Sequence, residues 1–362
     1  MSPEVPPWSE RIRRFAVLEC RGLSPLYEQL GLAIADDASF IEWLSSVAGP
    51  RANPPLLFAA VHYLLLEGDP NEALARFYPS IAGEGALEGD PYAAFRAFVD
   101  RERERLSELL ATRTTQTNEV ARSTYLLPAL VLAAQKSGRS LALVEVGAAA
   151  GLNLLFDHYA YDYGGGRTAG VPDGSLPLQT ELRTGDPQLA PLPSVASRSG
   201  IDLAPIRASD QEAARWLEAC VWPEHTDRMQ ALRAALGVAA ANEGVFDLVE
   251  GNALDLLPEI ARSASSEALL VVWNTNVLPY FSGDERQAYG ELLVQIGAER
   301  DLVWLGVEVP PFLRAAGFQG SFAGLGTGPT ALPLVMTSFV GGQREDAILA
   351  LTGPHGRWLD WL

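Results

Sequence analysis

Apolar residues recur at helical spacing from residue 8 to about residue 125. The clearest runs are Phe15-Ala16-Val17-Leu18-Glu19, Leu56-Leu57-Phe58-Ala59-Ala60-Val61-His62-Tyr63-Leu64-Leu65-Leu66 and Pro91-Tyr92-Ala93-Ala94-Phe95-Arg96-Ala97-Phe98-Val99. No strand-like alternation interrupts them, so residues 1–116 are expected to form a helical N-terminal domain. The run Asp100-Arg101-Glu102-Arg103-Glu104-Arg105 alternates in sign, as a solvated helix face does. A further helix is expected over 117–135, stopped by Lys136-Ser137-Gly138.

Beyond that stop the pattern changes to short β-rich runs at 141–147, 178–183, 245–250, 268–273 and 302–308, separated by helical stretches. This alternation predicts an α/β domain over 117–362 with a parallel sheet and crossover helices. Two last runs, 332–340 and 347–351, are joined by Gly341-Gly342-Gln343-Arg344-Glu345-Asp346, which predicts an antiparallel hairpin at the end of the sheet. Residues of about 185–243 are far too many for a simple crossover. They carry Pro187, Pro191 and Pro193 and then two helical stretches, and they are expected to hold an insertion that shapes a substrate pocket.

Composition narrows the partners. The chain has 362 residues, 48% of them hydrophobic and 20% charged, so it can bury an ordinary core. Its net charge of −18 would repel nucleic acid and anionic lipid over most of the surface. No apolar stretch approaches the roughly 18 residues of a membrane span, and a cytoplasmic protein is expected. Cys20 and Cys220 are too far apart in sequence for a disulfide framework, and the four histidines show no metal-ligand spacing, so no metal is expected.

The chemistry concentrates in Val144-Glu145-Val146-Gly147-Ala148-Ala149-Ala150-Gly151-Leu152-Asn153. An apolar strand ends in an acid and passes through small residues into a helix start, where free N–H groups favour polar or anionic ligand groups. The alternative is a tight turn that packs well without a ligand. The spacing resembles the E-x-G-x-G-x-G motif of S-adenosylmethionine-dependent methyltransferases, with Ala149 at the middle glycine. That resemblance implies a Rossmann-like methyltransferase sheet with S-adenosylmethionine at Gly147, Ala149 and Gly151, and Glu145 near the methionine part. It also implies Glu181, or alternatively Asp162, on the ribose, and Asn252 with Ala253 beside the adenine. Asn274 and Asn276, in Trp273-Asn274-Thr275-Asn276-Val277-Leu278-Pro279-Tyr280, lie where strand-end ligands bind, or they tie down the loop backbone.

The whole chain resembles a bacterial family catalogued as a domain of unknown function, whose members look methyltransferase-like. The residues that carry this are Ser24-Pro25-Leu26-Tyr27, Pro54-Pro55-Leu56-Leu57-Phe58, Thr117-Asn118-Glu119-Val120, the 147–153 turn, Gly200-Ile201-Asp202-Leu203, Trp222-Pro223 and His355-Gly356-Arg357-Trp358. In the third of these, Asn118, Glu119 and Arg122 have the groups to bind the carboxylate and ammonium of an amino acid, or to form an ordinary cap and ion pair. Tyr280 and His355 are the candidates for a catalytic role, and Trp216, Trp222 and Tyr280 are expected around the pocket. The expectation is a methyltransferase acting on a small molecule. Its rivals are a non-catalytic protein that binds a metabolite or partner, and an NAD(P)-dependent oxidoreductase. The latter needs an acid about 20 residues past the glycine turn, where Asp173 stands in an irregular setting.

Overall fold

Ser24, Asp37 and Asn53 turn side-chain oxygens back onto the backbone N–H of Tyr27, Phe40 and Leu56, at 3.3, 3.0 and 2.9 Å. These caps start the helices Pro25–Asp36, Ala38–Val47 and Pro54–Glu67. The last is buried on all faces from Leu56 to Leu65, so it forms the centre of a helical bundle rather than an amphipathic cover. In the computed structural model, which describes residues 6–49, 52–172 and 177–362, the chain divides into two units. One is Met1–Thr117 with Ser209–Arg233, the other Asn118–Ala208 with Ala234–Leu362.

The helical unit therefore takes its helix Gln211–Ala219 from the stretch read as an insertion. Trp216 of that helix is buried in the bundle, donates its indole N–H to the Thr114 carbonyl at 3.0 Å, and packs 5.6 Å from Tyr63. Trp222 packs against Phe15 and Tyr27 in the same core. Of the two tryptophans expected around a substrate pocket, Trp216 is a core residue of the bundle and Trp222 packs, partly buried, against that core. The charge run at 100–105 breaks at Glu102, between the helices Tyr92–Arg101 and Arg103–Thr112, and Arg101 pairs outward with Glu72.

In the second unit the helix Ser123–Ser137 ends on Gly138 in the left-handed conformation and leads into β1, Leu141–Val146, buried at every residue. Short strands follow: β2 (Ala160–Asp162), β3 (Thr168–Gly170), β4 (Pro177–Gln179) and β5 (Glu181–Thr184). Then come β6 (Val195–Asp202), β7 (Asp247–Glu250), β8 (Leu269–Thr275) and β9 (Leu302–Val307). The last three are β10 (Leu332–Val340), β11 (Gln343–Thr352) and β12 (Trp358–Trp361). A nine-stranded sheet has the order β5-β12-β11-β10-β9-β8-β1-β6-β7, and β3-β2-β4 form a small second sheet. From β7 to β9 the strands are parallel, β10 runs antiparallel to β9, and β11 turns back from β10 as a hairpin. The expected hairpin is present, but it does not end the sheet, which β12 and β5 extend beyond it.

Two expectations need correction. The run at 178–183 is not the strand beside β1: it splits at Thr180 into β4, in the small sheet, and β5, at the far edge of the large one. The neighbour of β1 is β6, hidden in the stretch read as an insertion, because Ser197, Arg198 and Ser199 break any apolar run. The helix expected after Gly151 is only a short 3-10 segment, Leu152–His158. One face of the sheet packs Ala142, Val144, Leu270, Val272 and Trp304 against the helices Ala253–Ser263 and Gly283–Glu299. Among the described residues no helix is long and apolar enough to cross a membrane.

Candidate functional site

Strand β6 follows β1 on one side and β8 returns on the other, so the direction of strand addition switches at β1, where open α/β sheets bind ligands beyond the strand ends. The glycine turn stands at this point. Gly147 has φ +75°, and a Cβ there would lie 2.4 Å from the Val277 side chain, so glycine is required on two counts. Ala149 holds φ +49°, and Gly151 φ +68° at the start of the 3-10 segment. The turn's N–H groups are already bonded. Gly147 and Ala148 donate to the Ile201 carbonyl, Ala149 to Asp202 Oδ2 at 2.8 Å, and Ala150 and Leu152 to Asn118 Oδ1 at 3.1 and 3.3 Å. The free N–H cradle expected from the sequence is thus filled by the protein's own Asn118 and Asp202.

Behind the turn lies a buried polar cluster. Glu145, 2% exposed, accepts a hydrogen bond at Oε1 from Asn153 Nδ2 at 3.2 Å, and Asn153 in turn accepts from the Ser123 hydroxyl. Its Oε2 makes no hydrogen bond of normal geometry, although the Trp273 indole N–H lies beside the carboxyl. Burial pushes the Glu145 carboxyl up to about 8, against smaller opposing pulls from Asn153, the neighbouring Trp273 indole and Arg122. Glu308, just past β9 and fully buried, is also raised by burial. Its Oε1 accepts from Asn274 Nδ2 (2.9 Å), Val277 N–H (2.7 Å) and Leu278 N–H (3.1 Å), while Oε2 has no partner. Asn274 accepts from the Tyr289 hydroxyl and the Trp304 indole.

Arg122, also buried, lies within electrostatic reach of both acids. It donates to the Thr275 carbonyl at 2.9 Å, the Thr275 hydroxyl at 3.2 Å and the Pro354 carbonyl at 3.3 Å. Residues 353–357 form a strap held there: Asn276 Nδ2 also reaches the Pro354 carbonyl, Thr124 donates to the Gly356 carbonyl, and His355 Nδ1 stands 3.7 Å from Glu119 Oε2.

The structure brings together Asn118, Glu119, Arg122, Glu145, Gly147, Ala149, Gly151, Asn153, Asn274, Asn276 and His355. Other expected residues fall elsewhere. Glu181 pairs with Trp358 at the sheet edge, so it cannot be the acid of the strand beside β1; Asp202 holds that position. Asp162 lies in the small sheet and accepts from the Gly164 N–H. Asn252 caps the helix Ala253–Ser263 through the Leu254 N–H, which occupies its carbonyl oxygen, and Ala253 is buried in the first turn. Tyr280 is 82% exposed on a short turn after Asn276. Asp173 lies outside the described residues. Asp202, Glu308, Tyr125 and Trp273 were not expected at the site. Glu308 carries the same signal that marked Glu145, an acid closing an apolar strand, and Asp202 closes a strand too polar to be seen as one.

Among the described residues no group of three or more His, Cys, Asp or Glu could hold a metal ion. A pocket of about 330 Å³ opens at the opposite, amino end of β8 and β9, lined by Lys136, Leu269, Val303, Ser338 and Glu345 among others. It holds none of the strand-end acids, and we place the functional centre at the switch point. In comparison with known proteins, a family model described as "Uncharacterized protein conserved in bacteria (DUF2332)" matches residues 9–361. No curated protein matches the chain.

Proposed function

This chain belongs to that bacterial family, and from its site we propose an S-adenosylmethionine-dependent methyltransferase that acts on a small-molecule acceptor. The observation that carries the reading is the placement of two acids at adjacent strand ends around the tight turn. Glu145 closes β1, and Asp202 closes β6 with its carboxylate on the Ala149 N–H. The strand order β7-β6-β1-β8-β9 followed by the reversed β10 supports it further. So does the buried Glu145 carboxyl, whose Oε2 makes no hydrogen bond of normal geometry and can take a polar ligand group.

In this reading Asp202 takes the ribose role first given to Glu181, and Asn118 and Asn153 hold the turn and Glu145 in place. When bound, the cofactor supplies an electrophilic methyl group. The chain's own part is to orient the reactants and exclude water, which suffices for large accelerations of in-line displacement. Tyr280 and His355 are exposed enough to meet an acceptor.

Calorimetry with S-adenosylmethionine and its demethylated product tests this. Binding tighter than about millimolar, roughly 4 kcal/mol, is expected, with marked weakening in Asp202→Ala. If neither ligand binds, the reading falls, and NAD binding in a parallel titration would favour an oxidoreductase. One observation favours a second reading, a metabolite-binding protein without catalysis: the turn N–H groups are occupied by Asn118 and Asp202. Tight binding without methyl transfer to any acceptor in a panel of small amines, alcohols and thiols would select it.

A further inference from the structure

We propose that the pocket at the amino ends of β8 and β9 is a second ligand site, and that its ligand is a small zwitterion, an α-amino acid with an apolar side chain. The pocket lies about 20 Å along β8 from the strand end that meets the glycine turn. The inference does not depend on methyl transfer.

Strand register builds one wall. Pairing sets Val271 beside Val303, Val303 beside Ser338 and Ser338 beside Glu345, so a row of side chains passes from apolar on β8 to acidic on β11. Side chains alternate along a strand, which puts Met336, Val340 and Gln343 on the same face as this row. The last turns of the helix Ser123–Ser137 form the facing wall with Ala133, Lys136 and Ser137. Between the helix end and the hairpin stays a space of about 330 Å³. That is the lower end of the range of small-molecule sites, so the ligand is small.

The charges of the lining select the ligand's class. Lys136 Nζ and Glu345 Oε2 stand 3.8 Å apart, too far for a hydrogen bond, so each keeps hydrogen-bonding capacity for a ligand. A ligand with a single charge meets one attractive and one repulsive partner there. A zwitterion satisfies both, with its carboxylate on Lys136 and its ammonium on Glu345, so that the four charges alternate in sign. The ammonium gains further from the helix end, whose carbonyls carry a partial negative charge. An α-amino acid holds both charges on one carbon and leaves its side chain for the apolar residues Ala133, Leu269, Val303 and Met336. Met336 adapts most readily to the shape of that side chain. The Lys136–Glu345 pair itself adds little to stability, because the two side chains are 57% and 70% exposed. Either member can therefore be replaced in a folded protein.

Saturation-transfer NMR on the full chain tests this with L-leucine as the probe. Two analogues of the same shape serve for comparison: isocaproate, which lacks the ammonium, and isoamylamine, which lacks the carboxylate. Leucine is expected to bind saturably with a dissociation constant of about millimolar or below, and each analogue about fivefold more weakly or worse. Lys136→Met and Glu345→Gln should each lower the affinity for leucine by about fivefold. Asp202→Ala, at the other end of the sheet, should leave it unchanged. The proposal is overturned if leucine does not bind, if either charge variant binds it as wild type does, or if an analogue binds as tightly as leucine. Loss of leucine binding in Asp202→Ala would move the amino acid to the glycine turn and overturn it as well.

Discussion

In the unfolded chain the Glu145 carboxyl titrates near its ordinary value of 4.5, whereas in the fold burial holds it at about 8. Between these values the unfolded state has lost a proton that the folded state keeps. Stability therefore falls as pH rises through that window and levels off above it, opposite to a salt-bridged carboxylate. Glu145→Gln abolishes the titration. In thermal melts from about pH 5 to about pH 8.5 the variant should show a flatter profile and overtake wild type at the alkaline end, by a margin on the order of a few kcal/mol. Parallel profiles would mean that the carboxyl is solvated. Asn118 offers a second residue-scale test, since its oxygen is the partner of two buried N–H groups, those of Ala150 and Leu152. Asn118→Ala should destabilise by about 1–3 kcal/mol per orphaned donor in urea unfolding, and Asn118→Asp, which keeps an acceptor, by less. The sequence marked Asn118 as a ligand contact because, with Glu119 and Arg122, it has the groups to bind an amino acid's carboxylate and ammonium; only folding shows that the turn itself is its partner.

At the scale of elements, Gly147→Val suggests itself from the sequence as a block on cofactor approach. The structure changes that expectation. With φ +75° and Val277 in the path of a Cβ, the substitution strains the backbone by about 1–3 kcal/mol before any clash is counted. It should lower the unfolding midpoint as well as binding, and Asp202→Ala is the cleaner probe of the site. The helix Gly283–Glu299 approaches the Ala316 backbone so closely at Gly290 that a Cβ would lie 2.6 Å from its carbonyl carbon and oxygen. Gly290→Ala is expected to cost about 1–3 kcal/mol, read as a shifted denaturant midpoint at constant slope. Strand β6 was illegible because its exposed half is polar and its pairing with β1 is made across more than fifty residues of chain. Strand β1, buried on both faces, shows itself as a plain apolar run.

For the molecule as a whole, a net charge of −18 predicts that fluorescence anisotropy with duplex DNA will show no saturable binding even at low salt. The sequence by itself determined what local physics encodes. Helical periodicity marked the N-terminal bundle, apolar runs marked β1, β8 and β9, glycine-separated alternation marked the terminal hairpin, and an acid closing a buried strand marked Glu145. Only the tertiary structure decided which strands are neighbours, and with that it sent Glu181 to the sheet edge, put Asp202 beside the turn and gave residues 209–233 to the helical unit. It also decided that Arg122, from a separate stretch of chain, comes within electrostatic reach of both Glu145 and Glu308. The reason is physical: periodicity reports which side of an element is buried, while strand order and the meeting of charges depend on pairings between distant residues that no local pattern records.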